Sequence, residues 1–179
     1  DIKIIYVDAV FSMTGELSDL KKISSIAKKN DALLVVDDAH GFGVIKNTPE
    51  DFPSSLSLYN KDDIDVDAYI GTFGKAVGIF GSFISGKRDI IELVIQKSKP
   101  YIYSTALPAS LAGTVLESLR YIKKNKSLNV KLSENINMFR EIAKKENINI
   151  QESKTPIQTI VIGDPKRLKM IQESALVSG

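Results

Sequence analysis

Residues 2–7 read IKIIYV, residues 17–29 read LSDLKKISSIAKK and residues 32–37 read ALLVVD; the succession of these three patterns decides the fold. The first and third are short, apolar runs, the first rich in β-branched residues, as buried strands are. Between them Leu17, Leu20, Ile23, Ile26 and Ala27 recur at helical spacing, and Asn30-Asp31 supplies a stop. A strand, a helix and a second strand within about forty residues form a βαβ unit, which implies parallel strands joined by a right-handed crossover. The fold class expected is therefore α/β, a mostly parallel sheet with helices on both faces.

Outward from this unit, residues 41–63 are rich in Pro, Ser, Asn and Asp and read as loop, with a short helix near Ser54 to Leu58. Val66 to Ile70 predicts a third strand, leading into Gly71-Thr72-Phe73-Gly74-Lys75, and Gly81 to Ser85 a further one. Arg88 to Lys97 reads as helix and Tyr101 to Ala106 as an extended or loop passage closed by Pro108. Pro108 suits the first turn of a long helix with Leu111, Val115, Leu119 and Ile122 as its buried stripe. A helix over Leu128 to Asn147 carries Leu132, Ile136, Phe139 and Ala143, and Ile148 to Ile150 and Ile157 to Ile162 predict two strands before a last helix from Pro165. The pattern changes near Lys123, so residues 1–122 are assigned to a large domain and 123–179 to a linker helix and part of a small α+β C-terminal domain. A strand-like run at the very start and a helix-like run at the end give the chain the look of a piece of a longer one.

Composition narrows the function classes. Apolar residues are 43% and charged residues 26%, and 24 Lys and Arg nearly balance 22 Asp and Glu, so nucleic acid is not an expected partner. No apolar run approaches the roughly 20 residues of a membrane span, and a soluble, cytoplasmic protein without membrane partners is expected. With no cysteine and one histidine, thiolate catalysis and a zinc centre are both disfavoured, and no metal is expected. Chemistry has to come from Lys, Asp, Ser or a cofactor.

Polar groups gather just past the ends of the predicted strands: Ser12 after the first, Asp37 and His40 after the second, Thr72 and Lys75 after the third. In open α/β sheets this rim is where ligands bind. Singly, each is an ordinary turn, capping or surface residue. Together they offer the groups that a pyridoxal 5'-phosphate (PLP) site asks for: an amine for the Schiff base, a carboxylate for the ring nitrogen, and donors for the phenolic and phosphate oxygens.

Four segments in this order, Val10-Phe11-Ser12-Met13, Val36-Asp37-Asp38-Ala39-His40-Gly41, Gly71-Thr72-Phe73-Gly74-Lys75 and Tyr103-Ser104-Thr105-Ala106-Leu107-Pro108, resemble the α-oxoamine synthases of the fold-type-I PLP enzymes. The chain departs from that family's pattern at Pro108-Ala109, where Pro-Pro is usual, and at Gly81-Ser82, where Gly-Gly or Gly-Ala is usual. The resemblance implies that Lys75 is the Schiff-base lysine and general base, that Asp37 pairs with the ring nitrogen, and that Ser12 and His40 address the phenolic oxygen. It also implies that Thr72 contacts the phosphate, and that Ser104 and Thr105 reach the phosphate of the neighbouring subunit in a homodimer with shared active sites. The groups that the family draws from other parts of its chain, a ring-stacking aromatic and a substrate-carboxylate arginine, are expected outside these residues.

The activity the resemblance implies is condensation of an amino acid with an acyl thioester, with loss of carbon dioxide. Members of the family use alanine with a pimeloyl thioester, glycine with acetyl-CoA or succinyl-CoA, or serine with a long acyl chain. The pairing of Thr72-Phe73-Gly74-Lys75 with Ile102-Tyr103-Ser104-Thr105 is most similar to the alanine-using member, with the glycine and acetyl-CoA enzyme as runner-up. A catalytically silent partner subunit of the same fold is the alternative from another class, and the presence of Lys75, Asp37 and His40 argues against it.

Overall fold

A short apolar run buries well only between neighbouring strands and a covering helix, and that is the arrangement around residues 32–37. The computed structural model describes residues 1–178. In chain order it has β1 (Lys3–Asp8), α1 (Leu20–Lys29), β2 (Ala32–Asp37), a 3₁₀ turn (Ser55–Leu58), β3 (Ala68–Thr72), β4 (Ser82–Gly86), α2 (Arg88–Lys97), α3 (Lys99–Ile102), α4 (Ala109–Lys124), α5 (Ser127–Lys145) and α6 (Pro165–Ser178).

The strands lie side by side in the order β1-β2-β3-β4. The first three are parallel, and β4 returns antiparallel to β3 through the short loop 73–81. Leu34 and Val36 of β2 are fully buried and pack with Leu20 and Ala27 of α1, with Ile5, Val7 and Ile23 around them. Strand alternation therefore sends Tyr6, Asp8 and Asp37 to the opposite face, since Ile5 pairs with Leu34, Tyr6 with Val35 and Asp8 with Asp37. On that face Ile4 and Tyr6 are 60% and 58% exposed.

Helix α1 begins three residues later than the apolar spacing suggested. The Asp19 carboxylate accepts from the Lys22 backbone N–H at 3.0 Å and fixes the start, and Leu17 instead makes an isolated β-bridge with Val10. Strand β3 is displaced to Ala68–Thr72 because Asp67 acts as a clamp before it. Its carboxylate accepts from the Leu34 N–H at 2.6 Å and from the Lys87 ammonium at 2.7 Å.

Three further expectations are corrected. The passage from Tyr101 is not extended throughout, because Tyr101 and Ile102 belong to the one-turn helix α3, whose start Pro100 favours; irregular backbone follows to Pro108. Neither Ile148–Ile150 nor Ile157–Ile162 is a strand. A ladder needs repeated backbone pairing, and among the described residues the bond from Gln151 N–H, just past the first run, to the Thr159 carbonyl at 3.0 Å is not continued into one. On α4 the stripe holds, with Ile122 buried and Leu111, Val115 and Leu119 half-buried. On α5 Ala143 is buried, but Phe139 is 41% exposed.

Candidate functional site

Parallel pairing brings the C-terminal ends of three strands to one rim: Asp8 lies beside Asp37, and Asp37 beside Ile70, two residues before Thr72. The carboxylate of Asp37 is held by two donors, the Ala39 backbone N–H at 2.9 Å on Oδ1 and the Tyr6 hydroxyl at 2.6 Å on Oδ2. An ionised carboxylate has about four acceptor positions, so capacity for another donor remains.

Immediately after Asp37 the chain turns sharply, with the N–H groups of Gly41 and Phe42 both donating to the Asp38 carbonyl, at 3.0 and 2.8 Å. This turn lifts His40 onto the rim. It is pinned by Asp38, which is fully buried and accepts from the Ser55 N–H (2.9 Å), the Ser55 hydroxyl (2.5 Å) and the Tyr69 hydroxyl (2.5 Å). Burial pushes the Asp38 carboxyl above its usual range, against the opposing pull of these donors, with Ser54 adding to it. Position 41 must be glycine here, because a Cβ would run into the Asp38 carboxylate and the Ser55 hydroxyl. Asp38→Ala would strand the Ser55 N–H and hydroxyl, while Tyr69 keeps Ser54 within 3.1 Å, and a buried donor left unpaired costs ~1–3 kcal/mol. The expected loss is about 2–4 kcal/mol, read as a lower urea midpoint of the full-length protein.

Lys75 stands at the tip of the loop between β3 and β4. The loop is closed by Phe73 N–H to the Gly81 carbonyl (2.9 Å), Ile79 N–H to the Phe73 carbonyl (2.7 Å) and Gly78 N–H to the Lys75 carbonyl (2.9 Å). Gly78 and Gly81 take left-handed φ values of 76° and 121°, which the return path requires. The Ser118 hydroxyl of α4 donates to the Val77 carbonyl at 2.6 Å and ties the loop to the helix. Phe73 of this loop stacks on Phe83, which meets Phe42 edge-on at 5.0 Å, so the His40 turn and the Lys75 loop share an aromatic support.

The result is a direct meeting of two predicted residues: Lys75 Nζ lies 2.7 Å from His40 Nε2. Burial first, and the Lys75 charge second, hold the imidazole below its ordinary value, with Asp8 and Asp37 opposing. A neutral His40 can therefore accept a hydrogen bond from Lys75 Nζ through Nε2. Thr72 borders the pair, its hydroxyl donating to the Gly81 carbonyl and accepting from the Gly74 N–H, both at 3.2 Å.

The other predicted residues are not joined to this pair. Ser12 lies exposed in the turn after Val10, and Ser104 and Thr105 lie exposed in the irregular stretch between α3 and α4. A cleft of about 980 Å³ bounded by Phe11, Gly15, Arg140 and Ser153 passes beside the rim without including Lys75 or His40. Because its lining offers no amine–imidazole pair, the rim is the better candidate for chemistry. Sequence reasoning missed Tyr6, Asp38 and the Phe42–Phe73–Phe83 cluster. Strand register could have found Tyr6, since a tyrosine one diagonal step from Asp37 is within reach of it.

Among known proteins, the family model described as aminotransferase class I and II matches residues 1–178. The 8-amino-7-oxononanoate synthase of Nitrosococcus oceani is 36% identical over 99% of this chain and 46% of its own length. The solved 8-amino-7-oxononanoate synthase of Francisella tularensis superposes with a TM-score of 0.81 at 25% identity, over 98% of this chain and 51% of that one. A serine palmitoyltransferase from S. paucimobilis, solved with a bound PLP–myriocin aldimine, shares the fold with a TM-score of 0.88 at 24% identity, over 99% of this chain and 44% of that one. The chain thus spans about half the length of the relatives it matches.

Proposed function

Because this chain belongs to the class I and II aminotransferase family, we propose that its rim holds PLP and serves the decarboxylative condensation of L-alanine with a pimeloyl thioester, giving 8-amino-7-oxononanoate in biotin synthesis. The observation that carries this reading is the Lys75–His40 pair, 2.7 Å apart, on the same rim as Asp37. The names of the most similar relatives support the substrate choice.

The donor set fits the cofactor. Asp37 is an acceptor with spare capacity and two fixed donors, suited to a ring N–H. Lys75 is an exposed amine on a loop held at both ends. When bound, PLP supplies an aldehyde that takes up an amine and a ring that stabilises the electron pair left by a departing proton. Lys75 would hold the cofactor through Nζ, and the free amine would serve as the general base that removes the α-proton of the amino acid. His40, bonded to Lys75 Nζ at 2.7 Å, would with Ser12 address the phenolic oxygen. Asp37 would keep the ring nitrogen protonated, and Thr72 would offer its hydroxyl to the phosphate.

The full-length protein is read as a cytoplasmic homodimer whose sites are shared. Residues 1–122 belong to its large PLP-binding domain, and 123–179 to the linker helix and part of the small one. Ser104 and Thr105 are exposed and are not bonded to their own rim, which suits a role at the partner's phosphate. Among the described residues no helix is long and apolar enough to cross a membrane.

Substrate choice is tested on the full-length enzyme by α-hydrogen exchange and product formation with each amino acid and acyl donor in turn. Alanine with the pimeloyl thioester is expected to turn over, and glycine to enter weakly, because a methyl in an apolar pocket is worth only ~1–3 kcal/mol. Efficient use of glycine with acetyl-CoA, and none of alanine with the pimeloyl thioester, would reassign the substrates.

A further inference from the structure

Tyr6 occupies a β1 position on the face opposite α1, where Ile4 beside it is apolar. Its ring is paired across the ladder with Val35, and Asp37 is the next residue of β2 on that face. An aromatic side chain reaches a diagonal neighbour of this kind, and the Tyr6 hydroxyl donates to Asp37 Oδ2 at 2.6 Å. The other oxygen accepts from the Ala39 N–H at 2.9 Å. One donor comes from the neighbouring strand and one from the turn beyond β2, so together they fix the plane of the carboxylate rather than its position alone.

We propose that Tyr6 is a positioning residue for Asp37, orienting the carboxylate toward the ring nitrogen through a bond from its own hydroxyl. This rests on the reading of Asp37 as the partner of the PLP ring. A phenol suits the task because it is held as a donor: the Asp37 hydrogen bond first, then burial and the Asp37 and Asp8 charges, push Tyr6 up to about 12. Near neutral pH the hydroxyl keeps its proton and the bond keeps its direction. A carboxylate held by one donor only could rotate about its last torsion and present its lone pairs to the ring nitrogen in the wrong plane. Lys75 and His40 act on the other side of the reaction and are not bonded to Tyr6.

The test has two arms on the full-length protein. In the first, the cofactor-free protein carries ¹³Cζ-tyrosine, and the Tyr6 signal is assigned by its loss in Tyr6→Phe. At pH 11 Tyr6 of the wild type is expected to remain mostly protonated, and in Asp37→Asn to be roughly nine-tenths ionised, as an ordinary tyrosine is. Equal ionisation in the two would overturn the bond. In the second arm, the Tyr6→Phe holoenzyme is expected to exchange the α-proton of its amino acid about tenfold more slowly, with KM changed by less than about twofold. Wild-type exchange in Tyr6→Phe, with exchange lost in Asp37→Asn, would overturn the positioning role and leave Asp37 in place. Wild-type exchange in both variants would remove Asp37 from the mechanism, and with it anything for Tyr6 to position.

Discussion

Replacing Lys75 by Ala in the full-length enzyme is expected to abolish covalent attachment of the cofactor and to lower α-proton removal by about 10²–10⁴-fold, the range that loss of a positioned general base produces. Among the described residues, Lys75 is the amine that the closed 73–81 loop delivers to His40, and no other lysine is bonded there. The protein should still fold, because Lys75 is exposed and the bonds that close its loop come from backbone groups. Absorbance of the bound cofactor and α-hydrogen exchange check this together. A variant that kept both would show that another amine does the work.

Asp37→Asn should retain cofactor but slow α-proton removal by ~10²–10³-fold, the scale associated with losing one preorganised electrostatic partner. A neutral amide neither favours a protonated ring nitrogen nor attracts the Tyr6 and Ala39 donors as strongly. The amide oxygen can still accept from the Ala39 N–H while its NH2 turns to the Tyr6 hydroxyl oxygen or to water at the exposed rim, so folding should be little affected and the loss should fall on the chemical step. Equal α-hydrogen exchange in variant and wild type would take Asp37 out of the mechanism.

Strands and helices with strong periodicity were legible in the sequence. Ala32 to Val36 reads as a buried strand because Leu34 and Val36 meet α1 and a strand pairs along each of its edges. The rim was legible too, since polar residues placed just after apolar runs have to surface at strand ends. What escaped were features that depend on pairing between distant segments. Tyr6 looks like one more strand-forming aromatic until the β1–β2 register sets its hydroxyl on Asp37. Asp38 looks like a repeat of Asp37, yet alternation turns it inward to Ser55 and Tyr69, where it holds the turn that carries His40. The runs Ile148–Ile150 and Ile157–Ile162 have strand composition, but composition does not supply a partner for their backbone groups. The start of the Tyr101 passage departs from expectation for a local reason: Pro100 near the start of a helical turn favours α3.

The central claim, that Lys75 carries the cofactor in a site shared with His40 and Asp37, is tested most directly by borohydride reduction of the full-length holoenzyme followed by peptide mass spectrometry. Loss of the visible band on reduction and a phosphopyridoxyl mass on the peptide containing Lys75 are expected. A colourless protein that takes up no PLP, or a reduced cofactor on a peptide that lacks Lys75, would contradict it.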